Sequence, residues 1–201
     1  MTDPTMADLP VRRGGTVHLA DGRRGLWSVA EGRRGRRWRW ALLAGRLLEA
    51  SYLLEVDREG HLTRLEGATA GGLLTLHPDS AKRRLHGNVV TASGIRHLDV
   101  PWAPGAFVDL VADPLFPGIL VAAVGPKVPV GSEGRVPVLA VDPFWRHRTG
   151  TLVVAHLTEE GWEVRPADEG WPRGPWTGEL RRDGLPAFPG GTDWELELAT
   201  R

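Results

Sequence analysis

The chain has 201 residues, 41% of them hydrophobic and 25% charged, with a formal net charge of zero. That is ordinary globular composition, with enough apolar material for one domain and too little basic excess for a generic nucleic-acid binder. The absence of cysteine excludes disulfides, thiolate nucleophiles and cysteine-ligated zinc, and no apolar run of about 18 residues offers a membrane-spanning helix.

Met1 to Asp8 is polar and acidic, with no apolar stretch behind a basic start, so the cytoplasm is the expected compartment. Residues 1–14, with Pro4, Pro10 and Gly14 and little apolar content, read as a flexible tail. Residues 15–201 read as one β-barrel-like domain, because short strand-like runs alternate with turn residues throughout. Thr16–Ala20 runs into the turn dipeptide Asp21-Gly22, and Leu26–Ala30 forms a second strand before Gly32. In Arg36–Ala41 the period of two puts Trp38, Trp40 and Leu42 on one face and Arg37 and Arg39 on the other.

Residues 40–55 are ambiguous. Ala, Leu, Arg and Glu favour a helix, whereas Gly45 and the alternation of Tyr52, Leu54 and Val56 favour two strands, which is the preferred reading. Strands follow at His61–Glu66, Leu73–His77, Leu85–Val90 and Ile95–Val100, the last two joined by a hairpin at Ser93-Gly94. Phe107–Ala112 is a strand stopped by Asp113-Pro114, and Ile119–Val124 is either a strand buried on both faces or a helical turn. Arg135–Val141 contains Pro137 and so needs an edge or a bulge. Thr151–His156, Trp162–Val164, Thr177–Arg181 and Trp194–Leu198 complete the series, with Trp171 expected to pin a surface loop over Arg165–Pro175. The fold class expected is all-β: a single incomplete or flattened antiparallel barrel with little helix.

Charge is unevenly spread. Residues 1–50 carry ten arginines against five acids, and residues 151–201 carry five against ten. Terminal strands that meet in a barrel would account for this, as would a polyanion-binding surface on the Arg33–Arg39 segment.

Four phrases in order, Tyr52…Asp57…Thr63-Arg64, Phe107-Val-Asp109-Leu110…Pro114, Val130-Gly131 and Asp183-Gly184-Leu185…Phe188-Pro189-Gly190, resemble the glycolipid-binding family of bacterial domains. His61 stands near the family's usual aromatic, the first acidic residue of its Asp-x-Asp-Leu strand is missing, and Phe188 replaces a tyrosine. The resemblance implies a domain of unknown function, β-barrel-like, related in shape to lipoprotein carriers, and possessing a binding cavity rather than a known reaction.

The expected function is therefore non-enzymatic binding or carriage of an apolar or amphipathic small molecule, with no cofactor and no metal. Trp38, Trp40 and Tyr52 are the candidate cavity lining, since an indole joins large apolar area to an N–H donor; the same residues also suit a plain core. Arg64 and Asp109, each inside an apolar strand, are candidates for the ligand's polar end if they face inward, and ordinary wet-face residues if they do not. An enzyme using His97 and Asp99, two apart on one strand face, is an alternative, as is an interaction surface on Arg33–Arg39. No Gly-x-Ser-x-Gly elbow, phosphate loop or His-Glu-x-x-His motif is present, so no catalytic residue is assigned.

Overall fold

Period-two alternation bounded by glycine turns carries the chain through eight successive antiparallel strands. They are β1 (Val11–His18), β2 (Arg24–Gly32), β3 (Gly35–Ala44), β4 (Leu47–Val56), β5 (Leu62–Thr69), β6 (Gly72–Asp79), β7 (Arg84–Thr91) and β8 (Gly94–Pro101). The computed structural model describes residues 11–188 and 192–195. Strand β1 begins at Val11, so the expected tail runs too far: residues 11–14 pair with β2, while 1–10 lie outside the described residues. Residues 40–55 are the end of β3 and most of β4, turning at Gly45-Arg46 with a bulge at Leu42/Leu43. Helix propensity there yields to the burial of Leu42, Ala50, Tyr52 and Leu54 on one sheet face.

A second set follows: β9 (Phe107–Leu110), helix α1 (Phe116–Val124), β10 (Glu133–Val141), β11 (His147–His156), β12 (Gly161–Pro166), β13 (Trp176–Leu180) and β14 (Pro186–Ala187). A last strand, β15 (Thr192–Glu195), returns to β1. The chain is mostly β, as expected, but the strands form two sheets: a nine-stranded half-barrel ordered β15-β1-β2-β3-β4-β5-β6-β7-β8, and a six-stranded sheet ordered β14-β13-β12-β11-β10-β9. It is not wholly antiparallel, because β9 and β10 run parallel around the α1 crossover. Pro137 of β10 sits just before the stretch paired to β9 (Val138–Val141), so its missing N–H falls where the strand is locally an edge. The terminal strands do meet: Arg13 lies opposite Glu195, and Arg13 also pairs with Asp183. The side chains of Trp194 to Leu198 lie outside the described residues.

One core fills the space between the sheets. Trp27, Trp38, Trp40, Tyr52, Leu54, Leu65, Leu74, Leu76 and Leu85 project from the half-barrel into it. Phe116, Ile119, Leu120 and Val121 of α1 meet them, so the apolar run 119–124 is helical rather than extended. A helix apolar on all sides has to be buried, and every residue from Phe116 to Ala123 is. The Trp40 and Phe116 rings stand 6.1 Å apart, and Trp40 stacks on Tyr52 at 5.0 Å. Gly67 faces inward in β5 because a Cβ there would come within 2.7 Å of the Trp145 ring, which the β10–β11 turn inserts into the half-barrel.

Candidate functional site

Asp109, singled out in the sequence without a partner, meets an arginine in the core. Asp109 of β9 is fully buried, and its partner is Arg173 of the 167–175 loop, Nη2 to Oδ1 3.2 Å, not Arg64. The Trp171 indole N–H also donates to Asp109 at 2.9 Å, so Trp171 pins the loop as expected, from inside. Arg173 Nη2 donates to the Leu110 carbonyl at 2.9 Å, while its Nε and Nη1 are buried without a hydrogen-bond partner among the described residues. Asp113 caps α1: Oδ1 accepts the N–H groups of Leu115 (2.9 Å) and Phe116 (3.0 Å), and Oδ2 accepts the Trp40 indole N–H at 2.8 Å. Burial pushes both carboxyls above the ordinary range despite these partners, pulls Arg173 below its usual value, and raises the Tyr52 phenol. This network ties loop, helix and half-barrel together and reads as a structural lock.

Trp38, Trp40 and Tyr52 share the inner face, as the alternation predicts, and there they pack. Trp38 is fully buried and tilts against Trp27, ring centroids 6.0 Å apart, with its N–H unpartnered among the described residues. The helix occupies the space where a guest would sit against Trp40. Arg64 lies on the outer face and bonds Glu66, Nε to Oε1 3.1 Å. His97 and Asp99 are exposed on the outer side of β8 and bond different partners, His97 to Asn88 Oδ1 (2.6 Å) and Asp99 to Arg84 Nε (2.8 Å). The Arg33–Arg39 segment is not one loop. Arg33 and Arg34 form a tight turn, Arg36 reaches the Ala122 carbonyl at 3.2 Å, Arg37 pairs with Glu55 at 2.6 Å, and Arg39 lies outward on β3. On the β4–β5 turn, ligand-type atoms of Asp57, Glu59 and His61 lie within 4.8 Å of one another. His61 Nδ1 already meets Asp57 Oδ2 at 3.1 Å, and Lys127 Nζ stands 3.4 Å from His61 Nε2.

An open hollow lies on the other side of the half-barrel. Across its outer face the register places one row of residues directly opposite one another: Leu26, Ala41, Ser51, Ala68, Leu73, Val90 and Ile95. The next outward row is Ser28, Arg39, Leu53, Glu66 and Thr75. Between them runs an open trough of about 710 Å³. It exists because Ala41, Ser51 and Ala68 are small while Leu26, Leu53 and Leu73 stand around them. Its floor is the backbone of Trp27, Trp40, Tyr52, Gly67 and Leu74, whose side chains point the opposite way. The trough shares Ser28 and Arg39 with a second hollow of about 260 Å³ bounded by Arg12 and Arg37. Arg37 is neutralised by Glu55, whereas Arg12 and Arg39 have no ion-pair partner among the described residues. The sequence carried one signal for this trough, the run of small residues at outward positions, legible only once the register is known.

No family model matches the sequence, and a search of curated proteins finds no significant relative. Among solved structures the fold is similar to that of a DUF1089 family protein from Pseudomonas aeruginosa. Identity is 16%, the TM-score is 0.50, and the match covers 94% of this chain and 96% of that one. At that identity the likeness speaks to the fold alone: a β-rich, half-barrel domain of unknown function. No helix among the described residues is long and apolar enough to cross a membrane.

Proposed function

We propose that the protein binds an amphipathic small molecule with an anionic head, of the lipid or glycolipid class, without catalysing a reaction, and that it does so in the outer trough. The single observation that carries this reading is the adjacency of the apolar trough to Arg39 and Arg12, two arginines with no ion-pair partner among the described residues. An alkyl chain along Leu26, Ala41, Leu53, Ala68 and Leu73 would leave water, while the head meets guanidinium groups able to fork onto a phosphate or carboxylate. The volume falls within the range of small-molecule sites. Because the trough is open along its length, part of the chain stays wet, which suits recognition and release better than sealed transport. Trp38, Trp40 and Tyr52 then act from behind, as the packed support that holds the floor flat. Nothing gathers a nucleophile, base and oxyanion donor in this trough, so no enzymatic reading is favoured by an observation.

The test is calorimetric titration with dodecyl phosphate against dodecanol and inorganic phosphate. Saturable binding of the first, at least tenfold tighter than either fragment, is expected. An Ala41→Leu, Ala68→Leu double variant that folds normally should abolish it, and Arg39→Glu should weaken it. Unchanged binding in the filled variant would sink the reading.

A further inference from the structure

The half-barrel has two rims, and its exposed apolar side chains are not shared evenly between them. The register puts the β1–β2, β3–β4, β5–β6 and β7–β8 turns on the same rim, since His18 faces Arg24, Ala44 faces Leu47, Thr69 faces Gly72 and Thr91 faces Gly94. The β10–β11 turn joins them: the Thr69 hydroxyl donates to the Pro143 carbonyl at 2.5 Å and Arg96 donates to the Trp145 carbonyl at 2.8 Å. At this rim Leu47 is 67% exposed, Ile95 65%, Phe144 64% and Leu48 56%. Leu26, Leu73 and Val90 follow just behind, so seven of the nine large apolar side chains exposed among the described residues lie here. Val130 and Leu157, at the opposite rim, are the other two.

The charge on this rim is as lopsided. Its turns, 19–24, 44–49, 69–73, 91–96 and 142–148, hold six arginines and three acids. Each acid is paired within the rim: Asp21 with Arg23 at 2.7 Å, Glu49 with Arg23 at 3.5 Å, and Asp142 with Arg146 at 2.6 Å. Arg24 and Arg46 have no ion-pair partner among the described residues. Its most exposed apolar tips sit on three separate turns (Leu47 with Leu48, Ile95, and Phe144), each turn carrying an arginine, and such a spread suits a protein partner poorly, since that rewards one packed centre. They suit a fluid apolar layer under an anionic skin, where each tip inserts independently and each arginine stays at headgroup level.

We infer that this rim is a docking surface for an anionic lipid bilayer, with Leu47, Leu48, Ile95 and Phe144 entering the headgroup–acyl boundary and Arg24 and Arg46 meeting lipid phosphates. The protein lies on the membrane and does not cross it. The apolar row of the outer trough starts directly behind these tips, so the docked rim leads from the acyl region into the trough. Docking stands on the rim residues and does not require that the trough bind anything.

Co-sedimentation of the full chain with vesicles tests this. Vesicles of equal parts phosphatidylcholine and phosphatidylglycerol should carry the protein down, and pure phosphatidylcholine vesicles far less. Leu47→Asp with Leu48→Asp should reduce partitioning about a hundredfold, Phe144→Asp about tenfold, and Arg24→Glu with Arg46→Glu more than tenfold. Leu157→Asp on the opposite rim, and the trough-filling Ala41→Leu, Ala68→Leu variant, should sediment as the parent does. Circular dichroism confirms that each variant is folded. Failure of the parent to bind anionic vesicles overturns the inference, as does equal loss in Leu157→Asp. Loss in the trough-filled variant alone would place lipid contact in the trough and remove the rim from account. A rim-dependent dimer that ignores vesicles would make the occupant a second copy and overturn it too.

Discussion

The two faces of the half-barrel are made by the same strands one residue apart, yet they answer different demands. The inner face gathers indoles and leucines, meets α1 and the second sheet, and is filled; its inward arginines, Arg36 and Arg96, bond the Ala122 and Trp145 carbonyls, and the charges facing it from the second sheet and its loops are locked in the Asp109–Arg173 and Asp113–Trp40 contacts. The outer face keeps small residues in its central row, with leucines and arginines around them, and is left hollow. Aromatic bulk on a strand marks the side that folding uses, and the side available to a guest is marked instead by what is missing from it. Here the indoles pack against α1, and the trough proposed for a guest lies on the opposite side of the same sheet.

The largest effects on stability come from the inner side. Replacing Arg173 with Met should cost about 3–5 kcal/mol in urea unfolding, because Asp109 is then a buried charge with only an indole N–H for support. Asp113→Ala comes next, at about 2–4 kcal/mol, since the two N–H groups at the start of α1 and the Trp40 indole lose their acceptor together. Neither change should alter the affinity of the trough in whatever fraction remains folded, and a loss of affinity at full folding would show that the faces are coupled.

Acid should separate the faces more gently. Burial raises the folded-state values of Asp109 and Asp113 above those of the unfolded chain, so the folded state holds more protons over that interval. Their contribution is most favourable below the unfolded value and is lost as pH rises through the raised folded value. Asp21, Asp79, Asp99 and Asp142 shift the other way, the first three held down chiefly by partners Arg23, Lys82 and Arg84, and Asp142 held down against burial by Arg146, so their contribution is lost as pH falls. Just below neutrality His147, whose value burial and then Arg96 hold down, works against the fold, so the rise belongs to the interval in which the raised folded values of Asp109 and Asp113 are crossed, and a fall follows once the surface carboxylates protonate. No rise across that interval would contradict the buried-charge account, and Asp109→Asn should flatten it. The smallest effect on stability belongs to the outer face: Ala41→Leu with Ala68→Leu should move unfolding by less than about 1 kcal/mol while emptying the trough of ligand.

Much of the fold was legible in the residues because alternation is a local signal. Trp38, Trp40 and Leu42 announced the inner face of β3, and Gly45 with Tyr52, Leu54 and Val56 outweighed the helix formers around Leu47. What alternation could not supply was anything that depends on closure in space. Phe116–Val124 is apolar at every position, so its periodicity is silent, and only the parallel pairing of β9 with β10 makes a helix there necessary. Asp109 drew attention as a charge in an apolar strand, but its partner sits 64 positions along in a proline-rich loop with no pattern to advertise it. The trough was least visible of all. Ala41, Ser51 and Ala68 are unremarkable singly and form a hollow only when β3, β4 and β5 set them side by side.

The placement of Trp27, Trp40 and Tyr52, with backbone under the trough and rings on its far side, has an optical consequence. Their intrinsic fluorescence should be blue-shifted and sensitive to loosening of the interior, yet nearly silent when a guest settles only one strand's thickness away. An emission titration would then return a flat line for a true ligand, and a reporter dye at Ser51 would be needed to see it.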